Sequence, residues 1–204
     1  VTAGFDQTLG VWNRANGVRS ASGLGHTQRL VQVLATRDGE RAISTGDDGT
    51  VRIWRVADGE LLATTPVAGA TRRLLLSDDE AQLLLLHYAA TVEDPVALLM
   101  DARSGRLQQR LQHPAPVLAA AFSPDGETLF TGCSDGQLRQ WSRSDGRLLK
   151  TYPLPAAAYT ALQFGRDAQR LLLVDPLRGA QVMELPSGAL GNRLALPEGN
   201  ETSA

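Results

Sequence analysis

Short apolar runs alternate with turn residues along nearly the whole chain. One stretch shows the pattern in full. Val117 to Phe122 is apolar, Ser123-Pro124-Asp125-Gly126 interrupts it, Thr128 to Thr131 resumes it, and Ser134-Asp135-Gly136 interrupts it again. Leu138, Gln140 and the run from Arg147 to Tyr152 add two further extended segments. Asp-Gly offers a position that accepts positive φ, and Pro-Asp-Gly adds a preset φ before it, so these interruptions predict tight turns between antiparallel strands. No ten-residue segment places apolar residues at helical spacing, which predicts an all-β chain and argues against an α/β one.

The pattern is periodic. Trp12, Trp54 and Trp141 are each followed five residues later by glycine, at Gly17, Gly59 and Gly146, and Met100 with Gly105 and Met183 with Gly188 complete the series. Successive anchors are evenly stepped except for Trp54 to Met100, which is longer than the others by four or five residues. Asp38, Asp125 and Asp167 precede Trp54, Trp141 and Met183 by one constant interval, whereas Asp79 precedes Met100 by five residues more. That excess, with the longer step, places a short insertion in the third unit, within His87 to Pro95. Four short strands in a unit of about 40–45 residues is the period of a β-propeller blade.

The segments GDDGTVRIW at 46 to 54 and GCSDGQLRQW at 132 to 141 resemble the closing motif of the WD40 family, and Gly25-His26 resembles its opening one. Counting back from Trp54 reaches Asp48, Ser44 and His26 in turn, and counting back from Trp141 by the same three offsets reaches Asp135, Thr131 and His113. The resemblance implies that each set forms a hydrogen-bonded tetrad tying together two strands of one blade, the loop entering its first strand and the turn between its second and third. Such pairing removes the cost of burying an indole N–H, an imidazole and a hydroxyl unpartnered. The family's pattern falters in places. The residue after each tryptophan is Asn13, Arg55 or Ser142 and never Asp, and the units anchored by Met100 and Met183 lack the tetrad. In the first unit Thr2, Asp6 and Trp12 keep the offsets, but the histidine position falls before Val1. The chain is therefore expected to begin within the second strand of a blade, with the natural protein continuing upstream.

The expected fold is an all-β, WD40-type β-propeller segment of four-stranded antiparallel blades over residues 1–197, with about four and a half blades present. The blades are expected at 1–24 (partial), 25–65, 66–111, 112–154 and 155–196, and a polar tail at 198–204. The segment is read as part of a larger, seven-blade-like ring. A self-closed five-blade ring and an open arc completed by a second copy in an oligomer are the other readings.

Composition narrows the partners. The 204 residues are 43% hydrophobic and 21% charged, enough to bury a sizeable core, and the net charge of -2 holds no basic surplus for neutralising nucleic-acid phosphates. The longest apolar runs, Leu83 to Leu86 and Val96 to Met100, fall far short of the roughly 18 residues of a membrane helix. No export signal follows Val1, and any such signal would lie upstream, so the compartment is left open with a mild preference for the cytoplasm.

Several residues carry enzyme-like chemistry and are given structural readings. His26, Ser44 and Asp48 are the residue types of a hydrolase triad, but they recur with a tryptophan in a second unit, which structure needs and catalysis does not. GCSDG at 132 to 136 satisfies G-x-S-x-G, yet Ser134 falls in a hairpin turn and not in the strand-to-helix turn of a nucleophile elbow. His87 has no Cys or His at ligand spacing and is read as a satisfied or surface side chain. Asp78-Asp79-Glu80 is read as a solvated turn, and Cys133 as a packing residue just past a strand with no cationic neighbour. The Asn200-Glu201-Thr202 sequon is discounted.

No catalytic residue, metal or cofactor is expected. The resemblance implies that a protein or peptide partner docks on the face formed by the loops entering the blades and the turns between their second and third strands. By position relative to each tetrad that face comprises Phe5, Arg29, Val31, Asp47, Pro116, Leu118 and Ser134, with Phe5 and Arg29 as leading candidates, since aromatic and arginine side chains dominate binding hot spots. The function expected is a non-catalytic protein-interaction scaffold. A regulatory module of a larger, bacterial-type signalling enzyme and a quinoprotein-like propeller enzyme are the competing readings.

Overall fold

The computed structural model describes residues 1–67, 69, 71–87, 96–155, 159–166 and 168–194, which form nineteen strands and no helix. Val1–Pro116 and Val117–Ala204 are separate compact units.

The first unit holds three antiparallel sheets. Strands β1 (Thr2–Ala3), β2 (Thr8–Trp12) and β3 (Arg19–Leu24) make a three-stranded sheet; β4 (Leu30–Ala35), β5 (Arg41–Gly46), β6 (Thr50–Arg55) and β7 (Leu61–Pro66) make the second; β8 (Thr71–Leu76), β9 (Gln82–His87), β10 (Val96–Asp101) and β11 (Leu107–Gln112) make the third. The second unit holds a fourth sheet, β12 (Val117–Phe122), β13 (Thr128–Cys133), β14 (Gln137–Ser142) and β15 (Leu148–Pro153), and a fifth, β16 (Ala161–Phe164), β17 (Arg170–Asp175), β18 (Gly179–Glu184) and β19 (Ala189–Leu194). Strands follow chain order in every sheet, the meander that short turns dictate.

The sequence period has two structural causes. In all five sheets the pairing of the third strand with the fourth (in the first sheet, of β2 with β3) shifts register beside the anchor, at Val11/Trp12, Ile53/Trp54, Leu99/Met100, Gln140/Trp141 and between Gln181 and Met183. Such a bulge adds twist and re-aims the side chain. The glycine five residues on then closes the next turn, its N–H donating to the carbonyl of the residue after the anchor, as Gly59 does to Arg55 at 2.9 Å. Gly59 has φ of 78° and packs so closely on the preceding sheet that a Cβ would stand 2.5 Å from the Ser22 carbonyl oxygen. Glycine satisfies both demands at once.

Between the first and second sheets, Leu9, Val11, Leu30, Ala42 and Trp54 form one buried cluster. Between the second and third, Ile43, Val51 and Ile53 pack against Leu74, Leu83, Leu85, Leu98 and Met100. The Gln32 side chain bridges these two sheets by donating to the Leu74 carbonyl and accepting the Leu74 N–H, each at 2.8 Å. In the second unit Phe130, Leu138 and Tyr152 pack against Tyr159, Leu162, Leu171, Leu173 and Met183. Apolar residues alternate into these interfaces because side chains of a strand point to opposite faces in turn.

The insertion expected in the third unit falls on residues 88–95, which lie outside the described residues, as do Asp167 and the tail 198–204 with its sequon. The flanking strands leave the whole of 88–95 between β9 and β10, against only 47–49 between β5 and β6.

Candidate functional site

The β3–β4 link, β5, the β5–β6 turn and β6 of the second sheet bring His26, Ser44, Asp48 and Trp54 together. The Trp54 indole N–H donates to Ser44 Oγ at 2.8 Å, Ser44 Oγ lies 2.7 Å from His26 Nε2, and His26 Nδ1 lies 2.8 Å from Asp48 Oδ2. One proton arrangement satisfies the whole chain: Ser44 donates to Nε2, and Nδ1–H donates to the carboxylate. Burial lowers the His26 pKa, and the hydrogen bond and charge of Asp48 only partly offset this, so the imidazole is held neutral as that arrangement requires. Burial pushes the Asp48 carboxyl up, but the Thr27 N–H, the Thr50 hydroxyl and His26 outweigh it and keep the group below its ordinary value. Trp54 is fully buried, and a Cβ on Gly23 would stand 2.8 Å from its ring, so the bare backbone of β3 makes room for the indole.

The fourth sheet repeats part of this. Trp141 donates its indole N–H to Thr131 Oγ1 at 2.8 Å. Asp135 is engaged by the Arg139 guanidinium at 2.5 Å, and that hydrogen bond holds its carboxyl below the usual range. His113 is buried in the first unit. In the first sheet Trp12 donates to Thr2 Oγ1 at 2.8 Å, while Asp6 accepts from the Thr8 N–H and hydroxyl. Trp12 is 47% exposed, in contrast to Trp54 at 0%.

Sequence reasoning missed one recurring partner. Arg52 and Arg139 each stand two residues before the tryptophan and pair with the aspartate of the same sheet, Arg52 reaching Asp48 Oδ2 at 3.6 Å. The shared offset is visible in the two motifs and could have pointed to it.

Among the proposed docking residues, three meet at the surface of the first unit. Phe5, in the β1–β2 turn, is 83% exposed, and the Arg29 guanidinium lies over its ring, 5.6 Å from the centroid. Arg29 Nε in turn donates to Asp47 Oδ2, and Asp47 N–H donates to the Arg29 carbonyl at 3.0 Å. Three separate turns and links thus converge on one aromatic–cation–carboxylate row. Val31 is half-buried in β4, and Pro116, the last residue of the unit, is half-buried as well. In the second unit Leu118 is half-buried in β12, and Ser134 is exposed in the β13–β14 turn.

Cys133 is the last residue of β13 and not a residue beyond it, and Arg139 does interact with it. Burial nevertheless pushes the thiol up to about 11, which leaves it protonated and unreactive at neutral pH. Asp78 and Glu80 are taken up by Arg37, and Asp79 accepts from Ser77 and the Ala81 N–H. No three metal-ligating side chains cluster among the described residues. His87 departs from its expectation: it is buried, and its Nδ1 has no hydrogen-bond partner among the described residues. Among the described residues no helix is long and apolar enough to cross a membrane.

Comparison with known proteins follows the same division. The family model described as WD domain, G-beta repeat matches residues 18–55 and 105–142. Each match runs from the outer strand of one sheet through the first three of the next, and each ends on a tryptophan-bearing strand, in the second and fourth sheets. Autophagy-related protein 16 of Arabidopsis thaliana is 25% identical over 171 residues, covering 84% of this chain and 33% of that protein. Eukaryotic translation initiation factor 3 subunit I of Eremothecium gossypii is 26% identical over 179 residues, covering 81% of this chain and 52% of that one. The chain thus spans about half or less of these relatives' length. The chain thus carries two WD40 repeats, at 18–55 and 105–142, and its four-stranded antiparallel sheets are consistent with WD40 propeller blades.

Proposed function

We propose that this chain is a non-catalytic scaffold that binds a protein or peptide partner through the Phe5–Arg29–Asp47 row. WD40-repeat proteins typically act as interaction scaffolds. The observation that carries the reading here is an aromatic ring left 83% exposed while its flanking arginine is fixed by a carboxylate. An exposed phenylalanine held by a preordered guanidinium presents contact area without losing much side-chain freedom on binding, the property that makes aromatic and arginine residues binding anchors. Val31 and Pro116 are further candidates in the first unit, and Leu118 and Ser134 are those in the second.

The tetrad speaks against catalysis at its own residues. His26 and Ser44, the residues of hydrolase type, are 5% and 0% exposed and spend their hydrogen-bonding capacity on Asp48 and Trp54. A nucleophile needs an open approach, and Ser44 has none.

The test is the double variant Phe5→Ala/Arg29→Ala, used beside the unaltered chain to capture proteins from the source organism. Circular dichroism should be unchanged, and partners held by the unaltered chain should be lost, since truncating a hot spot costs at least about 2 kcal/mol, roughly thirtyfold in Kd. Equal capture by both chains would overturn the docking surface.

A further inference from the structure

The first unit repeats one inter-sheet joint twice with different chemistry. Between the first and second sheets the upper end of the joint is formed by Ala3, Leu30 and Gly46, of which Leu30 and Gly46 are cross-strand partners. Ala3 and Leu30 belong to the apolar cluster there. Register assigns the equivalents between the second and third sheets. Thr45 pairs with Val51, three residues before its anchor, as Ala3 pairs with Leu9; Thr71 pairs with His87 as Leu30 pairs with Gly46. A joint that is apolar in one place therefore carries two hydroxyls and an imidazole in the other.

All three side chains face the same joint. Thr45 shares its face of β5 with Ile43, and His87 shares its face of β9 with Leu83 and Leu85, all members of the cluster between these two sheets. Thr71, directly opposite His87, projects to the same side, because cross-strand partners share a face. Thr45 and Thr71 are 0% exposed and His87 is 7% exposed, and Thr45 Oγ1, Thr71 Oγ1 and His87 Nδ1 are each sealed from solvent without a hydrogen-bond partner among the described residues. Three such atoms in one joint are far from the norm for buried polar groups, which pair with protein or with ordered water. A buried water typically makes about three hydrogen bonds to groups of this kind.

We propose that this joint is a binding site for one ordered water molecule, coordinated by Thr45 Oγ1, Thr71 Oγ1 and His87 Nδ1. The water ties the second sheet to the third at the end where the third sheet has no tetrad, and does so independently of any partner.

A high-resolution crystal structure of the chain tests the site directly. A single solvent peak within about 2.7–3.2 Å of all three atoms is expected. A peak reaching fewer than three of them, or side chains bonded directly to one another, would overturn the proposal. The sign of a stability change gives an independent reading. With water bound, Thr71→Val removes one of its partners and lowers the melting temperature by roughly 2–4 °C. With the hydroxyl truly unmatched, the same change removes a buried unsatisfied group and raises it; a rise would contradict the site.

Discussion

The second and third sheets of the first unit share strand order, register and the bulge beside the anchor, yet fill equivalent positions with opposite chemistry. Trp54 pairs with Ala42 as Met100 pairs with Leu83, so Ser44 corresponds to Leu85, Arg52 to Leu98 and His26 to Val67. Where the second sheet holds an indole, a hydroxyl, a guanidinium and an imidazole in one hydrogen-bonded chain, the third holds Met100, Leu85, Leu98 and Val67 at the same positions. Leu83, Leu84, Leu85 and Leu86 are all fully buried. The blade backbone thus accepts either a satisfied polar network or dry packing. The two solutions fail differently: a truncation in the third sheet leaves a cavity, whereas one in the second also leaves a polar group without its partner.

Trp54→Ala should be the most damaging single change, costing about 5 kcal/mol by emptying an indole-sized space and taking the indole donor away from Ser44 Oγ, as read by urea denaturation. Leu85→Ser places the tetrad's hydroxyl type in the third sheet, where Val67 and Met100 stand in the places of the tetrad's histidine and tryptophan. A loss of about 4 kcal/mol is expected, and a neutral result would show that the third sheet tolerates polar filling after all. Ser44→Ala, which removes one atom, should cost about 2 kcal/mol by severing both His26 and Trp54.

A smaller effect comes from pH. The folded pKa values of His26 and His87 both lie below the ordinary 6.5, so the unfolded chain binds more protons as pH falls past that value and stability is lost on the acid side. Above 6.5 neither group contributes. In His87→Leu the share due to His26 should remain, seen as a melting temperature that still declines between about pH 7 and about pH 5; a flat profile would mean that the tetrad histidine does not resist protonation. Smallest of all, Phe5→Ala should leave stability within about 0.5 kcal/mol, since the ring is almost wholly outside the core.

The polar sheet was also the legible one. Three fixed offsets from the tryptophan named the four side chains that meet in the second sheet, because a network of distinct polar types leaves distinct letters at fixed spacing. The turns were legible for a similar reason: Asp-Gly and Pro-Asp-Gly mark backbone conformations that few residues adopt. The third sheet's interior was not, since Leu83 to Leu86 read as one apolar run whose pairing partners only register reveals. That register makes Leu85 the counterpart of Ser44, whereas applying the serine's offset to Met100 lands on Ala90, beyond the end of β9. The row of Phe5, Arg29 and Asp47 was named residue by residue but not as a unit, because its cation–π and ion-pair contacts join segments far apart in the chain with no repeating pattern to expose them.

The most direct test of the polar sheet is a double-mutant cycle on His26→Ala and Trp54→Phe, with unfolding free energies from urea denaturation of the four chains. The two side chains share no hydrogen bond and their rings stand 6.0 Å apart; Trp54→Phe keeps an aromatic ring there while removing the indole N–H to Ser44, so a cooperative network should give a coupling energy of about 1–2 kcal/mol. Additivity to within about 0.3–0.5 kcal/mol would mean that the four residues are independent neighbours, and would contradict the tetrad as the unit holding the second sheet.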